Sequence, residues 1–310
     1  MRAVSAGSPQ EAIDDQPHPY GIYSITQGTY NLIGEMTTSP RPTEAQSKRA
    51  LRSRRCYGRG VTAQVDYERH GRKYARHRRP DPRIAARIHA ALGDARTVLN
   101  VGAGAGSYEP CDRWVLAVEP SATMRAQRPA GAAPAIDARA EALPFDDGAF
   151  DAAMACVTIH HWEPPKAGLA ELRRVSRGPV VIFTFELDYL PAWQLELLHE
   201  GLVKERLRFP AIADIAATLG GRTRVEHLPT PGDCLDGFFE AFWRRPEALL
   251  DPAVRGAQSM WALLEPGVEQ RIIDRLADAL DSGAWEVKHG YLREQESFQG
   301  ALRLVISEAS

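Results

Sequence analysis

The stretch VLNVGAGAG, residues 98–106, runs strand-forming apolar residues directly into a glycine-rich turn. Glycines in such a turn accept positive φ angles and let the backbone approach a ligand closely. The turn alone is weak evidence, because many α/β proteins carry a glycine after their first strand. Its G-x-G-x-G spacing also stops short of the dinucleotide-binding fingerprint, since Ser107 stands where the third glycine would follow. The stretch therefore predicts a ligand site at a strand end and leaves the ligand open.

Outward from this turn, short apolar runs alternate with segments of helical spacing. The predicted strands are residues 97–101, 115–119, 133–137, 150–158, 179–185, 222–228 and 301–306. The predicted helices are residues 121–127, 166–175, 193–206, 212–219, 238–244, 254–264 and 268–280. Strand alternating with helix is typical of a parallel sheet covered on both faces. The predicted fold class is therefore α/β: a seven-stranded, mostly parallel sheet with helices on both faces and a helical insertion before the last strand.

Glu119 ends the second predicted strand and is followed by Pro120 and Ser121. A carboxylate at this place can accept hydrogen bonds from both hydroxyls of a ribose. The alternative is an exposed acid at a strand end with no ligand. The glycine turn at the end of the preceding strand favours ribose binding.

A third segment, AEALPFDDGAFD at residues 140–151, is the most specific of the three. The glycine turn, the acidic strand end and this segment, in this order, resemble the class I S-adenosylmethionine-dependent methyltransferases, and within them the type 11 group that acts on small molecules. The resemblance covers roughly residues 66–186 and decides against a nicotinamide dehydrogenase. It implies a Rossmann-like sheet, S-adenosylmethionine as the cofactor and S-adenosylhomocysteine as its product.

The resemblance also implies a set of cofactor-binding residues. They surround the methionine part, the ribose and the adenine in turn: Gly102, Ala103 and Gly104; Glu119; and Met124, Ala140 and Glu141. Tyr67 and Tyr74 resemble the N-terminal tyrosines that cover the cofactor in this family.

The sequence departs from the family pattern at two positions. Asn100 stands where the family usually has an acid that engages the cofactor's amino group. Asparagine can still accept that hydrogen bond, but without the charge attraction. Arg139 stands where an aspartate often binds the adenine amino group, and backbone groups at Ala140 are the expected substitute.

The acceptor molecule is expected at the carboxyl ends of the later strands, where open parallel sheets bind ligands. His160 and His161 follow the fourth predicted strand, and Glu186 follows the fifth. These three side chains are the candidates for a general base, which is needed only if the acceptor is a hydroxyl or a similarly weak acid. The adjacent histidines lack a third ligand in the sequence, so no metal site is predicted.

The chain is expected to divide into an extension and a catalytic domain. Residues 1–60 lack periodicity and are rich in polar residues, so we expect them to be disordered. Residues 61–310 form the predicted methyltransferase domain, with a core at about 66–231 and 298–308 and a helical insertion at about 233–297. The aromatic residues of that insertion either line an apolar substrate pocket or form its own core. Val61 is a candidate for the true amino terminus, because valine can be encoded by the alternative start codon GTG.

Composition narrows the function classes further. The formal net charge is −2, so no overall field attracts nucleic acid or an anionic membrane. Basic runs at residues 41–60 and 69–79 lack the interleaved aromatics of a nucleic-acid platform. Four widely spaced cysteines indicate neither a zinc site nor a disulfide framework and fit reduced thiols in the cytoplasm. No apolar run approaches the ~20 residues of a membrane span.

These observations together predict an enzyme that methylates a small molecule, with a secondary metabolite as one option, by in-line displacement. Two alternatives stay open within the same fold: non-methyl chemistry with the same cofactor, and a cofactor-binding protein without catalysis, which Asn100 and Arg139 would suit. A nucleic-acid methyltransferase is disfavoured, because His160-His161-Trp162 stands where an N-P-P-Y or D-P-P-Y motif would follow the fourth strand. The sequence names neither the acceptor nor the oligomeric state.

Overall fold

A computed structural model of the protein describes residues 78–309. The expectations for residues 1–60, for Val61 as a start, and for Tyr67 and Tyr74 lie outside the described residues. Within residues 78–309, no helix combines the length and apolarity that crossing a bilayer requires.

The centre of the fold is a seven-stranded sheet in the order β3-β2-β1-β4-β5-β9-β6. Its strands, with the short pair β7 and β8, are β1 Thr97–Val101, β2 Trp114–Val118, β3 Ala135–Ile136, β4 Ala152–Cys156, β5 Val180–Phe185, β6 Arg222–His227, β7 Thr230–Pro231, β8 Ser297–Phe298 and β9 Leu302–Glu308. Strands β1 to β5 pair in parallel, whereas β9 runs antiparallel to both β5 and β6. The predicted α/β class and the Rossmann-like, seven-stranded, mostly parallel sheet are confirmed.

The α-helices lie before and between the strands along the chain. They are α1 Pro82–Ala91, α2 Ala122–Arg125, α3 Pro165–Val175, α4 Ala192–Leu197, α5 His199–Arg206, α6 Ile212–Leu219, α7 Pro252–Arg255, α8 Val268–Asp281 and α9 Ala284–His289. Short 3₁₀ turns supplement them, including Ile159–His161 directly after β4 and Ser259–Leu263 between α7 and α8.

Both faces of the sheet are covered at its centre, and alternate residues of the central strands belong to two different cores. On one side Leu99 and Val101 pack with the apolar faces of α3 and α6. On the other side Val98 packs with α1 and with the segment that connects β7 to β8. Side chains of successive residues in a strand point to opposite faces, so a strand buried on both sides is apolar almost throughout. The six residues of β5 are accordingly all buried.

Three helix predictions differ from the structure. The helix predicted at 193–206 is broken at Leu198, where α4 ends and α5 begins. The helix predicted at 254–264 is only the single turn α7 followed by a 3₁₀ turn, and that predicted at 238–244 is the 3₁₀ turn Phe239–Phe242. Between α7 and the turn at Ser259–Leu263, Gln258 is extended, and its side chain bonds Gly237 O and the Trp261 indole. These long-range contacts override the local helical spacing.

The insertion begins and ends at a two-stranded sheet that the sequence did not indicate. Strand β7 pairs antiparallel with β8, so the intervening segment leaves the sheet after β6 and returns just before β9. Six aromatic side chains of this segment are buried in one apolar cluster: Phe238, Phe239, Phe242, Trp243, Trp261 and Trp285. Trp193 of α4 belongs to the same cluster and donates its indole hydrogen to Trp243 O.

Candidate cofactor and acceptor site

A cavity of about 500 Å³ opens at the carboxyl ends of β1, β2 and β4. Every predicted cofactor residue within the described range lines it: Asn100, Gly102, Ala103, Gly104, Glu119, Met124, Ala140 and Glu141. The carboxyl ends of neighbouring parallel strands meet at one sheet edge, which explains why segments far apart in sequence converge here. The aromatic cluster of the insertion does not line this cavity.

The glycine turn after β1 is held against β2 and leaves no room for a side chain at position 102. The amides of Gly102 and Ala103 both donate to Val118 O, at 2.8 and 3.0 Å. Gly102 has φ +68°, and a Cβ placed there would lie 2.1 Å from Thr158 Oγ1. Gly104 has φ +52°. The turn therefore requires glycine at position 102 for both its φ angle and its close approach to Thr158.

Glu119 lies across this turn with its carboxylate largely buried. Its Oε2 accepts a hydrogen bond from Gly104 N at 2.8 Å, and its Oε1 accepts one from Ser121 N at 2.8 Å. Burial raises the pKa of the Glu119 carboxyl, and the two backbone hydrogen bonds oppose that rise. Each carboxylate oxygen has two lone pairs, so both oxygens keep capacity for a further donor.

Asn100, near the end of β1, is buried, and its side chain hydrogen-bonds Glu109. Its Nδ2 donates to Glu109 Oε1 at 3.0 Å. Both Glu109 oxygens also accept from Arg128 Nη2, at 2.8 and 2.7 Å, in an ion pair that is more than nine-tenths buried. Asn100 Oδ1 is buried with no hydrogen-bond partner among the described residues. Sequence reasoning missed Glu109 and Arg128, since neither belongs to a recognisable motif.

Glu141 and Arg139 lie at the opposite end of the cavity. Glu141 Oε1 accepts a hydrogen bond from Glu163 N at 2.6 Å, and Arg139 Nε lies 3.3 Å from Glu141 Oε2. Arg139 is mostly exposed, and its backbone forms an isolated antiparallel bridge with Ala142. The bridge holds the turn that presents Ala140 and Glu141 to the cavity.

Within residues 78–309, two non-glycine residues have positive φ, and both line the cavity: Tyr108 at +65° and Val157 at +52°. A β-branched residue rarely adopts this conformation, which costs on the order of 1–3 kcal/mol and is common at functional sites. Tyr108 OH donates to Asp236 Oδ2 at 2.7 Å, and Arg78 Nε donates to Asp236 Oδ1 at 2.6 Å. Asp236 belongs to the insertion, so these two hydrogen bonds connect the insertion to the end of the cavity that Arg78 and Tyr108 line. Sequence reasoning assigned no role to Arg78 or Tyr108.

His161 lines the cavity, at the end of the 3₁₀ turn that follows β4. Its Nδ1 lies 2.5 Å from Nη2 of Arg208, a residue of the connection between α5 and α6. Arg208 Nη1 in turn donates to Glu205 Oε2 at 2.6 Å. Burial, followed by the positive charges of Arg208 and Arg78, holds the pKa of His161 well below its usual value.

His160 and Glu186 are placed differently from His161. His160 is buried and stacked on Phe209, with ring centroids 4.2 Å apart. Glu186 Oε2 accepts a hydrogen bond from Arg303 Nε of β9 at 2.8 Å. Neither side chain lines the cavity. Of the three proposed bases the structure thus brings only His161 to the cavity, because tertiary partners draw the other two aside.

Comparison with known proteins agrees with this geometry. A family model described as a methyltransferase domain matches residues 99–182. A solved structure from Anabaena variabilis, described as a methyltransferase from an antibiotic biosynthesis pathway, is 27% identical. The alignment covers 74% of this chain and 98% of that chain, with a TM-score of 0.70. The chain carries an S-adenosylmethionine-dependent methyltransferase domain.

More distant structures resemble the methyltransferase less closely. An S-adenosylmethionine-dependent methyltransferase of Thermotoga maritima is 16% identical, with coverage of 79% of this chain and 98% of that chain and a TM-score of 0.49. No curated protein matches the sequence.

The residues at the cavity fit S-adenosylmethionine, the cofactor of this class. The buried and unpartnered Asn100 Oδ1 is an acceptor that lacks a donor, as an amino group would supply. The glycine turn admits a ligand closely, and Glu119 retains acceptor capacity next to it. No cluster of metal-binding side chains occurs in the described part of the chain.

Proposed function

We propose that the methyltransferase transfers a methyl group to a small-molecule acceptor. The observation that carries this proposal is that the cavity continues past the predicted cofactor residues to Arg78, Tyr108, Cys156 and His161. Its volume of about 500 Å³ lies within the range typical of small-molecule sites. The pathway named for the Anabaena variabilis protein is one of small molecules and supports the same acceptor class.

Within this proposal the cofactor is held at three places. Glu119 accepts from the ribose hydroxyls, because its oxygens keep free lone pairs beside the turn. Asn100 Oδ1 accepts from the amino group of the methionine part. Met124, Ala140 and Glu141 flank the adenine.

The chemistry requires positioning more than proton transfer. S-adenosylmethionine supplies a methyl group on a positively charged sulfur, which is already a good leaving group. The protein must hold the acceptor atom in line with that methyl group, and orientation alone can supply several kcal/mol of the acceleration. The strained Val157 and the buried Tyr108–Asp236 pair are rigid supports for such positioning.

A cofactor-binding protein without catalysis is the competing candidate, and Asn100 and Arg139 are the residues that favoured it. The geometry weakens both arguments. Asn100 keeps a buried acceptor for the amino group, and Arg139 pairs with Glu141 instead of displacing it from the cavity.

Incubation with methyl-labelled S-adenosylmethionine and a panel of metabolites tests the proposal. A labelled small-molecule product, formed together with S-adenosylhomocysteine, is the expected result. Binding of the cofactor without turnover of any acceptor would favour the non-catalytic protein. A product that retains other parts of the cofactor would favour non-methyl chemistry.

A further inference from the structure

We propose that Arg208 holds His161 as a neutral ring with its proton on Nε2, and that the acceptor arrives with an ionised oxygen as its nucleophile because His161 does not deprotonate it. The proposal rests on the proposed transfer to a small molecule. It adds a positioning residue, Arg208, and a chemical class of acceptor.

The hydrogen bond between Arg208 and His161 determines the state of the ring. A guanidinium is always protonated and can only donate, so His161 Nδ1 at 2.5 Å must accept. An imidazole that accepts at Nδ1 is neutral and carries its proton on Nε2. To take up a proton, this ring must first break the hydrogen bond between Nδ1 and Arg208. The imidazolium so formed would then lie beside the guanidinium, and the two positive charges would repel each other.

Arg208 is itself held so that it cannot turn away. Its Nη1 donates to Glu205 Oε2 at 2.6 Å, and both side chains of this ion pair are at least 95% buried, with exposures of 5% and 1%. The other oxygen of Glu205 accepts from Ser259 Oγ of the insertion at 2.7 Å. A buried carboxylate with both oxygens engaged orients the guanidinium and leaves its other end for His161.

Two further groups near His161 in the described part of the chain act in the same direction. Arg78 contributes a second positive charge that disfavours the imidazolium form of His161. The ring of His160 lies 3.9 Å away between centroids, and burial holds its pKa well below the usual value as well. Burial is the largest cause of the lowered pKa of His161.

Among residues 78–309, no other group at the acceptor end is suited to remove a proton. Burial raises the pKa values of the Tyr108 hydroxyl and the Cys156 thiol, so both stay protonated near neutral pH. The carboxylate of Asp236 already accepts from Arg78, Tyr108 and its neighbour Gly237 N. The two carboxylates that line the cavity, Glu119 and Glu141, belong to the proposed cofactor end.

An acceptor without a base must bring a nucleophile that is already competent. A neutral amine becomes a cation when it is methylated. The acceptor end of the cavity is lined by the positive charge of Arg78 and by no carboxylate of the described residues, so it does not stabilise that cation. An ionised oxygen forms its bond to the methyl carbon while the carbon–sulfur bond breaks and that electron pair stays on sulfur. No proton moves, and a neutral ether or ester and neutral S-adenosylhomocysteine result. Carboxylates, enolates and acidic phenols are the acceptors of this class.

Nitrogen-15 NMR of the full chain with labelled histidine tests the state of His161, with Arg208→Met as the informative variant. We expect a neutral, Nε2-protonated ring that does not titrate between about pH 5.5 and 8.5. In Arg208→Met the pKa of the ring should rise, and the ring should populate both tautomers. Arg206→Met, which removes a neighbouring cation paired with Asp188, should leave the signal unchanged. A wild-type ring that titrates, or that is protonated at Nδ1, overturns the proposal whether or not any variant folds.

Matched acceptors test the substrate class with labelled cofactor. Each set shares one carbon skeleton and carries a carboxylic acid or acidic phenol, the corresponding alcohol, or the corresponding amine. The acidic member should react at least about 100-fold faster than the alcohol. A general base typically contributes a factor of this size, and the alcohol would have to react without one. The pH profile should follow the pKa of the acceptor and keep its midpoint in His161→Gln, although that variant is slower. A faster alcohol or amine overturns this inference and leaves small-molecule methyl transfer intact. Cofactor binding without methylation of any acceptor removes the proposed function and this acceptor class together.

Discussion

Asn100 donates its amide hydrogen to Glu109 Oε1 across 3.0 Å, and this bond decides which end of the amide is left without a partner. Glu109 is paired with Arg128 and can only accept, so Asn100 Nδ2 must point to it. The unpartnered Oδ1 is then the one atom of Asn100 that a ligand's donor can satisfy. We propose that the neutral asparagine accepts through this atom from the amino group of the cofactor's methionine part.

Asn100→Ala should weaken binding of S-adenosylhomocysteine by about 10- to 100-fold, since a hydrogen bond to a charged group contributes ~1.5–3 kcal/mol. Titration calorimetry measures the change. The control ligand is 5′-methylthioadenosine, which lacks the amino-acid part and should bind wild type and variant alike. In Glu109→Gln the new amide can donate to Asn100, which lets the Asn100 side-chain amide rotate by 180°. This variant should also weaken binding of S-adenosylhomocysteine more than that of 5′-methylthioadenosine, but to a smaller extent. Equal losses for both ligands would place Asn100 away from the amino group.

Glu119→Ala should weaken both of these ligands, because both contain the ribose. We expect a loss of about 1.5–3 kcal/mol for each hydrogen bond to a hydroxyl. Asp137→Ala is the matched control, since Asp137 directly follows the neighbouring strand β3 and pairs with Arg125 at the surface. Unchanged affinities in Glu119→Ala, with an unchanged melting temperature, would remove Glu119 from the ribose site.

Gly102→Ala should destabilise the fold and abolish cofactor binding. Its Cβ would lie 2.1 Å from Thr158 Oγ1 at a φ of +68°. Gly93→Ala is a control with φ +56° but with no atom within 4 Å of the added Cβ. It isolates the backbone cost of about 1–2 kcal/mol. Urea unfolding should show a clearly larger loss for Gly102→Ala, and similar losses in the two variants would contradict the steric argument.

Glu240→Gln should remove a pH dependence of stability. The carboxyl is fully buried, accepts hydrogen bonds from Thr230 Oγ1 and Ala301 N, and has its pKa raised by burial from 4.5 to about 7. The folded chain therefore keeps a proton that the unfolded chain releases, so stability falls as pH rises from about 4.5 to about 7.

Glutamine reproduces the protonated carboxyl, accepting from the Ala301 amide and donating to Thr230. At pH 8 the free energy of unfolding of the variant should exceed that of wild type by on the order of 2–3 kcal/mol, which is the free energy that corresponds to the raised pKa. At pH 4.5 the two should differ little. Urea unfolding across this range measures both values. A parallel decline of wild type and variant with pH would assign the slope to other groups.

Much of the cofactor end follows from local pattern. Gly102, Glu119 and Glu141 each lie at or just after a strand end that apolar runs predict, and the structure places all three on one cavity. The parallel arrangement of β1, β2 and β3 makes that convergence automatic, because their carboxyl ends share an edge.

The acceptor end could not be predicted in the same way. Glu186 has the sequence position of a rim residue, yet Arg303 of the antiparallel strand β9 engages its carboxylate outside the cavity. Arg208 and Asp236 lie on segments with no motif, and they reach His161 and Tyr108 only through long-range contacts.

The sequence by itself determined the seven strands of the main sheet, the glycine turn and the acidic strand ends, because these depend on periodicity and on backbone preferences within a few residues. Only the tertiary structure decided which atoms of two side chains at the cavity donate hydrogen bonds and which accept them. Asn100 and His161 can each donate or accept, and the charged partners that settle the matter, Glu109 and Arg208, are identifiable only once the chain is folded. Hydrogen-bond direction depends on what a side chain touches, and sequence position alone does not contain that information.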